Sequence, residues 1–114
     1  MARKKQFLVI GLGSFGGSVV KSLVDMGYEV LAIDSDEYIV QEFSEIATHI
    51  VQADATDEIV LRSLGVANFD VAIVAMAKDL EASILITVLL KEIGVPCVVS
   101  KAEDELHGKI LQKI

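Results

Sequence analysis

The chain has 114 residues and a mass of 12.3 kDa, enough for one domain around one core. It is 53% apolar with a mean hydropathy of +0.55, which excludes a disordered polymer, and its one Cys, one Pro and two His exclude a disulfide scaffold or a zinc ribbon. Ten Lys/Arg against seventeen Asp/Glu leave a net charge of −7, so the chain as a whole repels phosphate backbones and nucleic acid is not an expected partner.

In chain order, FLVIG (Phe7–Gly11) is predicted as the first strand and Ser14–Met26 as a helix with Val20, Leu23 and Val24 on one stripe. EVLAID (Glu29–Asp34) is the second strand, followed by a helix over Asp36–Ile46 carrying Ile39, Val40, Phe43 and Ile46. HIVQAD (His49–Asp54) is the third strand. Asp57–Leu64 is a short helix, with Gly65 where a left-handed cap belongs. DVAIVA (Asp70–Ala75) is the fourth strand, and Asp79–Ile93 is the longest helix, closed by Gly94 ahead of Pro96. PCVVSK (Pro96–Lys101) is the fifth strand, and Asp104–Ile114 is a last helix with Leu106, Ile110, Leu111 and Ile114 on one face.

The strands begin at residues 7, 29, 49, 70 and 96, a rhythm of strand, helix and two short turns. That is the βαβ repeat of an α/β protein: a Rossmann-like, doubly wound parallel sheet in three layers with at least five parallel strands. Phe7–Ile10, Val71–Val74 and Val98–Val99 are apolar on both faces, as strands covered by helices on each side should be. Cys97, single and set among apolar residues, reads as a buried thiol in a reducing cytoplasm. The helix at 79–93 is apolar over too wide an arc for one stripe, so a second face calls for a neighbouring helix or another subunit. The last helix stops without a cap or polar tail, a pattern expected of a chain cut inside a longer one.

A bilayer needs about twenty consecutive apolar residues. The densest run here, 82–90, is nine residues long and is broken by Ser83 and Thr87, so direct membrane insertion is not expected. The opening MARKKQFLVIGLG imitates a signal peptide, but Phe7–Ile10 is short and runs into glycines. The basic residues Arg3, Lys4, Lys5 and Lys21 read as a solvated tail and a helix face.

The most informative residues are Gly11-Leu12-Gly13-Ser14-Phe15-Gly16-Gly17, directly after the first strand and opening the first helix. In that context G-x-G-x-x-G has a physical meaning. Gly11 permits the tight turn, Gly13 lets backbone come close to a phosphate, and Gly16 lets helix and strand approach. The free N–H groups at the helix start then face an anion. Asp34, at the end of the second strand, lies 18 residues after Gly16, near the spacing of a ribose-binding carboxylate. Such a carboxylate would repel a 2′-phosphate and disfavour NADP; capping the next helix is a task for Ser35 or Asp36. Asp54 either meets the adenine end of a ligand or caps the helix at Asp57. Lys78 and Lys101, after the fourth and fifth strands, are either phosphate-neutralising or solvated. His107 lies inside a helix and His49 at the surface. No metal cluster or catalytic triad is discernible.

Taken in order, VIGLGSFGGSVVKSL, EVLAIDSDE, ADATDE, LRSLGVANFDVAIVAM, ASILITVLLKEIGVP and VSKA…H…IL resemble the amino-terminal lobe of the RCK/KTN domain. That domain regulates potassium channels and Trk/Ktr-type uptake systems. The resemblance implies a single nucleotide-binding lobe over 1–114, without the carboxyl-terminal lobe that usually follows. It implies NAD(H) or ATP/ADP as ligand, and a homo-oligomer, a dimer and then an octameric ring. It also implies a membrane potassium-translocating partner and a cytoplasmic location at the inner face of the membrane through that partner. Ligand contacts implied by the resemblance are Gly11, Gly13, Ser14, Phe15 and Gly16, then Asp34, Ser35 and Asp36, then Asp54 and Ala55. Met76, Ala77 and Lys78, then Lys101, Ala102, Glu103 and His107, complete the set. Members that respond to ATP commonly carry Arg where this chain has Ser14, so discrimination of ATP from ADP would fall to Lys78, Lys101 or a neighbouring subunit.

The expected function is therefore regulatory nucleotide binding without catalysis. An NAD-dependent oxidoreductase fragment is the alternative, since it shares the glycine loop and the acid. The chain, however, spends nearly all its residues on sheet and crossovers, leaving little to hold a substrate. A methyltransferase is disfavoured because the middle glycine makes room for phosphate.

Overall fold

Short β-branched runs joined by helical stretches too long for hairpins are suited to parallel pairing, each connection crossing one face of the sheet. The computed structural model describes residues 4–76 and 78–114, which leaves the basic residue Arg3 and the candidate contact Ala77 outside the described residues. It has strands β1 (Gln6–Ile10), β2 (Glu29–Asp34), β3 (His49–Gln52), β4 (Val71–Val74) and β5 (Cys97–Ser100). All pair in parallel, in the order β3-β2-β1-β4-β5. Helices α1 (Ser14–Asp25), α2 (Glu37–Glu42), α3 (Glu58–Ser63), α4 (Leu80–Ile93) and α5 (Glu105–Lys113) connect and follow them, with a 3-10 turn at Val66–Asn68. No helix among the described residues is long and apolar enough to cross a membrane.

Alternation along the strands builds a core on each face. Leu8, Ile10, Leu31, Ile33, Ala72 and Val74 pack under α3 and α4 through Leu61, Ile86, Leu89 and Leu90. Val9, Val30 and Ala32 pack on the opposite face against Val20 and Leu23 of α1 and Phe43 just beyond α2. The central strand β1 is thus covered on both sides, as its apolar run predicts.

The edge strand departs from that expectation. Cys97 is exposed, not buried, and Val99 is 49% exposed. α1 and α2 lie over β1, β2 and β3, while α4 covers Val98 on the other face and α5 packs against α4. Among the described residues no helix remains for the Cys97–Val99 side. Sequence reads apolarity but not which side of an edge strand is left bare.

Two helices also differ from expectation. Regular α2 ends at Glu42 rather than at Ile46, because both Ser44 N–H and Ser44 Oγ donate to the carbonyl of Gln41. A turn on the Phe43 carbonyl then keeps Phe43 buried and Ile46 half-buried. In α4 the supposed interruptions, Ser83 and Thr87, are buried and tied to α5 and β5. They occupy part of the second face; Ile84 and Val88 stay half-buried and Leu85 exposed.

Leu61 and Ile59 test this packing from one short helix. Leu61→Ala, at a fully buried position, should cost about 2–5 kcal/mol in denaturant unfolding. Ile59→Ala, at a position 78% exposed, should stay within about 0.5 kcal/mol. Equal losses would contradict the burial described.

Candidate functional site

The chain leaves β1 towards β2 and β3, then returns to add β4 and β5 on the other side. The loops after β1 and β4 diverge, and a crevice opens between them at the carboxyl edge of the sheet. Gly11 forms its floor at φ +92°. A Cβ there would stand 2.7 Å from the Ala75 carbonyl oxygen and 2.9 Å from Met76 Sδ, so conformation and space both exclude a side chain. A Cβ on Gly16 would land on the Gly11 carbonyl oxygen, which shows how closely α1 starts against its strand. At Gly13 a Cβ would meet nothing within 4 Å; the space over that backbone is open.

Four helices begin on an aspartate whose carboxylate accepts first-turn N–H groups: Asp36, Asp57, Asp79 and Asp104 for α2 to α5. α1 begins on Gly13, with no side-chain cap and no acidic residue in its first turn. Its opening N–H groups keep their partial positive charge, the arrangement that receives a phosphate.

Asp34 faces this helix start. Its Oδ2 accepts the Leu12 N–H at 2.8 Å and its Oδ1 the Asp36 N–H at 2.9 Å. Capping of α2 belongs to Asp36. A carboxylate offers about four acceptor positions, so Asp34 keeps capacity for two hydroxyls. Asp54 likewise has no capping role, since Asp57 caps α3. Its Oδ1 accepts from the Thr56 hydroxyl at 2.6 Å and the Thr56 N–H at 3.0 Å. Those bonds, the hydroxyl's first, hold the Asp54 carboxyl below its ordinary value.

The crevice has two lobes that share Gly11, Asp34 and Met76. The larger, about 430 Å³, is lined by the glycine loop from Gly11 to Phe15, by Asp34, by Ala75, Met76, Lys78 and Asp79 after β4, and by Lys101 and Glu103 after β5. The smaller, about 80 Å³, adds Ser35, Asp54, Ala55 and Thr56 over an apolar floor of Ile10, Ile33 and Ile86. Lys101 Nζ lies 4.9 Å from the centre of the Phe15 ring, spanning the mouth from the β5 side to α1. Gly16, Asp36, Ala102 and His107 line neither lobe. Gly16 acts by close approach and Asp36 by capping. Ala102 faces a separate groove between α4 and α5. His107 is buried, its ring between Glu103 and Ser83. His49 is exposed at the other end of the sheet. Among the described residues no group of three or more His, Cys, Asp or Glu is placed to hold a metal.

Thr56 and Ser83 escape sequence reading. Thr56 had a usable signal, the Asp-x-Thr spacing of a hydroxyl-reinforced Asx turn. Ser83 had only its place, four residues before Thr87 on an otherwise apolar helix.

Thr56→Val keeps the N–H bond to Asp54 and removes the hydroxyl. The Asp54 carboxyl should then titrate at higher pH, followed by its carbonyl carbon shift. A depressed value means stabilisation that is complete above about pH 3.8 and lost as pH falls through the folded-state value. The stability gap between parent and variant should therefore be present at neutral pH and close in acid. An unchanged titration would show that the hydroxyl does not act on Asp54.

The sequence profile of the TrkA-N domain family matches residues 7–114. The Ktr system potassium uptake protein C of Bacillus subtilis is 52% identical over 97% of this chain and 50% of its own length. Among solved structures, a GsuK channel bound to NAD superposes with TM-score 0.84 at 14% identity, over 97% of this chain and 20% of that one. The Kef carboxyl-terminal domain of Shewanella denitrificans, in an AMP-bound form, superposes with TM-score 0.79 at 19% identity, over 96% of this chain and 65% of that one. The chain spans about half the length of the curated relatives it matches. With the profile matched from the first strand to the final residue and half of all positions shared with a Ktr protein, the chain belongs to the TrkA-N domain family.

Proposed function

We propose that this chain is a regulatory lobe that binds an adenine nucleotide, NAD(H) or ATP/ADP, and passes its occupancy to a potassium-translocating membrane partner without chemical turnover. The observation that carries this reading is the uncapped start of α1 under an open Gly13, with the Asp34 carboxylate beside it. Ribose hydroxyls bind the free positions of Asp34, and phosphates bind the N–H groups at Gly13 to Phe15, with Lys78 and Lys101 as countercharges. The adenine end lies towards the smaller lobe, where Ala55 and Ile33 are apolar and Asp54 accepts from an amine. The larger lobe, at about 430 Å³, is within the usual size range of small-molecule sites. The NAD of the GsuK channel and the AMP of the Kef domain agree in ligand class.

Regulation requires only that the nucleotide bind two arrangements of an assembly unequally, by about 1–3 kcal/mol in typical coupled systems. Ser14 is neutral, so any preference for ATP over ADP rests on Lys78, Lys101 or a neighbouring copy. An assembly of copies, as a dimer or a larger ring, is supported by the exposed Leu85 and the half-buried Ile84 and Val88 along α4. The Ktr relatives, potassium uptake proteins, support a potassium-uptake setting, and a place at the inner membrane face goes with the membrane partner proposed above.

Calorimetric titration should give saturable binding of NAD⁺, NADH, ADP or ATP and no turnover of any of them. Asp34→Asn should narrow the preference for NAD⁺ over NADP⁺ by removing the charge that repels a 2′-phosphate, whereas Lys21→Ala, far along α1, should leave affinity unchanged. Hydride transfer to a carbonyl substrate by this chain would defeat the regulatory reading. In sedimentation at micromolar concentration the chain should run heavier than its 12.3 kDa monomer. A clean monomer would remove the α4 contact.

A further inference from the structure

His107 is 1% exposed, and its ring is engaged on both sides. Nδ1 accepts the Glu103 N–H at 3.0 Å, so that nitrogen presents its lone pair and the ring proton sits on Nε2. Nε2 lies 3.0 Å from Ser83 Oγ and donates to it; Ser83 is fully buried on α4. The main chain is fixed as well, the His107 N–H donating to Asp104 Oδ1 at 2.9 Å. Asp104 and His107 are the N-cap and third residue of α5, the spacing of a capping box. In that motif the third side chain reaches back to the N–H of the N-cap itself. His107 reaches one residue further, to Glu103, and also holds a second helix, which starting α5 does not require.

The captured segment belongs to the cleft. Lys101 and Glu103 line the larger lobe, and Lys101 N–H donates to the Val74 carbonyl at 3.0 Å as the chain leaves β5. Glu103 N–H is the next fixed point along it. Ser83 lies one helical turn after Asp79, which lines the same lobe, and Ser83 N–H donates to the Asp79 carbonyl at 2.9 Å. One imidazole thus joins the wall after β4 to the wall after β5.

We propose that His107 is a positioning residue for nucleotide binding. By bridging Glu103 N–H to Ser83 Oγ it holds the Lys101–Glu103 segment at the distance from the glycine loop that a diphosphate requires. This rests on the nucleotide reading of the cleft. His107 touches no ligand, and the Asp34–Asp54 end is outside its reach. Its loss therefore weakens ligands that extend into the larger lobe and spares a nucleoside alone.

The probes are ADP, the portion common to NAD(H) and ATP, and adenosine, titrated into the parent chain, His107→Asn and His107→Gln. Asn places its amide oxygen near the position of Nδ1 and keeps the Glu103 bond; Gln extends towards the position of Nε2 and gives it up. His107→Gln should weaken ADP about tenfold, the usual effect of losing one buried hydrogen bond, and adenosine by less than about twofold. His107→Asn should bind ADP within about threefold of the parent. In the ligand-free chain, Glu103 amide exchange should accelerate in the Gln variant only, and the parent imidazole nitrogen spectrum should place the proton on Nε2. Ser83→Ala frees the same ring from α4 but leaves the Glu103 bond, as Asn does, and should likewise bind ADP within about threefold of the parent. If His107→Gln does not fold, His107→Leu, which gives up both ring bonds at similar volume, should show the same loss of ADP with adenosine spared. Equal losses of both probes, an unaffected Gln variant, an Asn variant no better than Gln, or a proton on Nδ1 would each overturn the proposal. A parent chain that binds neither probe overturns the nucleotide reading and this proposal together, whereas parent-like ADP affinity in every variant overturns this proposal alone.

Discussion

The approach of three backbone segments at Gly11 governs the rest of the site. The β1 carboxyl end, the start of α1 and the loop after β4 meet where the Gly11 carbonyl lies under Gly16 and the Ala75 carbonyl lies beside Gly11. Main-chain atoms in contact there leave no volume for any side chain, and the φ of +92° would strain any residue with a Cβ. The consequence is electrostatic as well as steric. With Gly13 as the N-cap, α1 opens without a side-chain oxygen to take its first N–H groups, so their field points into the crevice.

The acidic residues divide their duties around that field. Asp36, Asp57, Asp79 and Asp104 are consumed as helix caps, which satisfy local N–H groups and set where each loop ends. Asp34 and Asp54 are engaged by neighbouring N–H and hydroxyl groups yet line the crevice. A net charge of −7 is therefore compatible with an anion site. Charges beyond about 8–10 Å are screened by salt, whereas the α1 N–H groups, Lys78 and Lys101 border the crevice itself.

The βαβ rhythm, the glycine loop and the Asp34 carboxylate were legible in the sequence because each is a local requirement: a period, a sterically demanded glycine, a strand-end acid at fixed spacing. The cap of α2 was legible only as a choice between Ser35 and Asp36, and the cap of α3 was misplaced: the sequence offered Asp54 for it, whereas Asp57 does it. What escaped depends on partners distant in sequence. Cys97 looks like core by composition, and only the sheet order shows that β5 is an edge with one bare face. Ser83 and Thr87 look like flaws in an apolar helix until α5 and β5 supply His107 and Ser100 as partners. His107 resembled a ligand contact by motif, yet the fold turns its ring away from the open lobe. Lengths of short helices escaped too: the end of α2 was decided by Ser44 competing for the Gln41 carbonyl.

Whether such a lobe can report occupancy depends on how its two halves are joined. The glycine loop and Asp34 belong to the β1–β2 side, and Lys78, Lys101 and Glu103 to the β4–β5 side. Beneath the crevice the halves are fused by the β1–β4 ladder, extended by the bond from Ala75 N–H to the Ile10 carbonyl at 2.8 Å. Across the mouth, Lys101 over Phe15 is an exposed cation–π contact worth about 0.5–1 kcal/mol. A clasp of that size is close to thermal energy and opens unaided. A diphosphate in contact with both sides adds charge-assisted hydrogen bonds, each stronger than the clasp. The rigid ladder therefore fixes where the mouth is, and the contact across it is too weak to lock the two sides together.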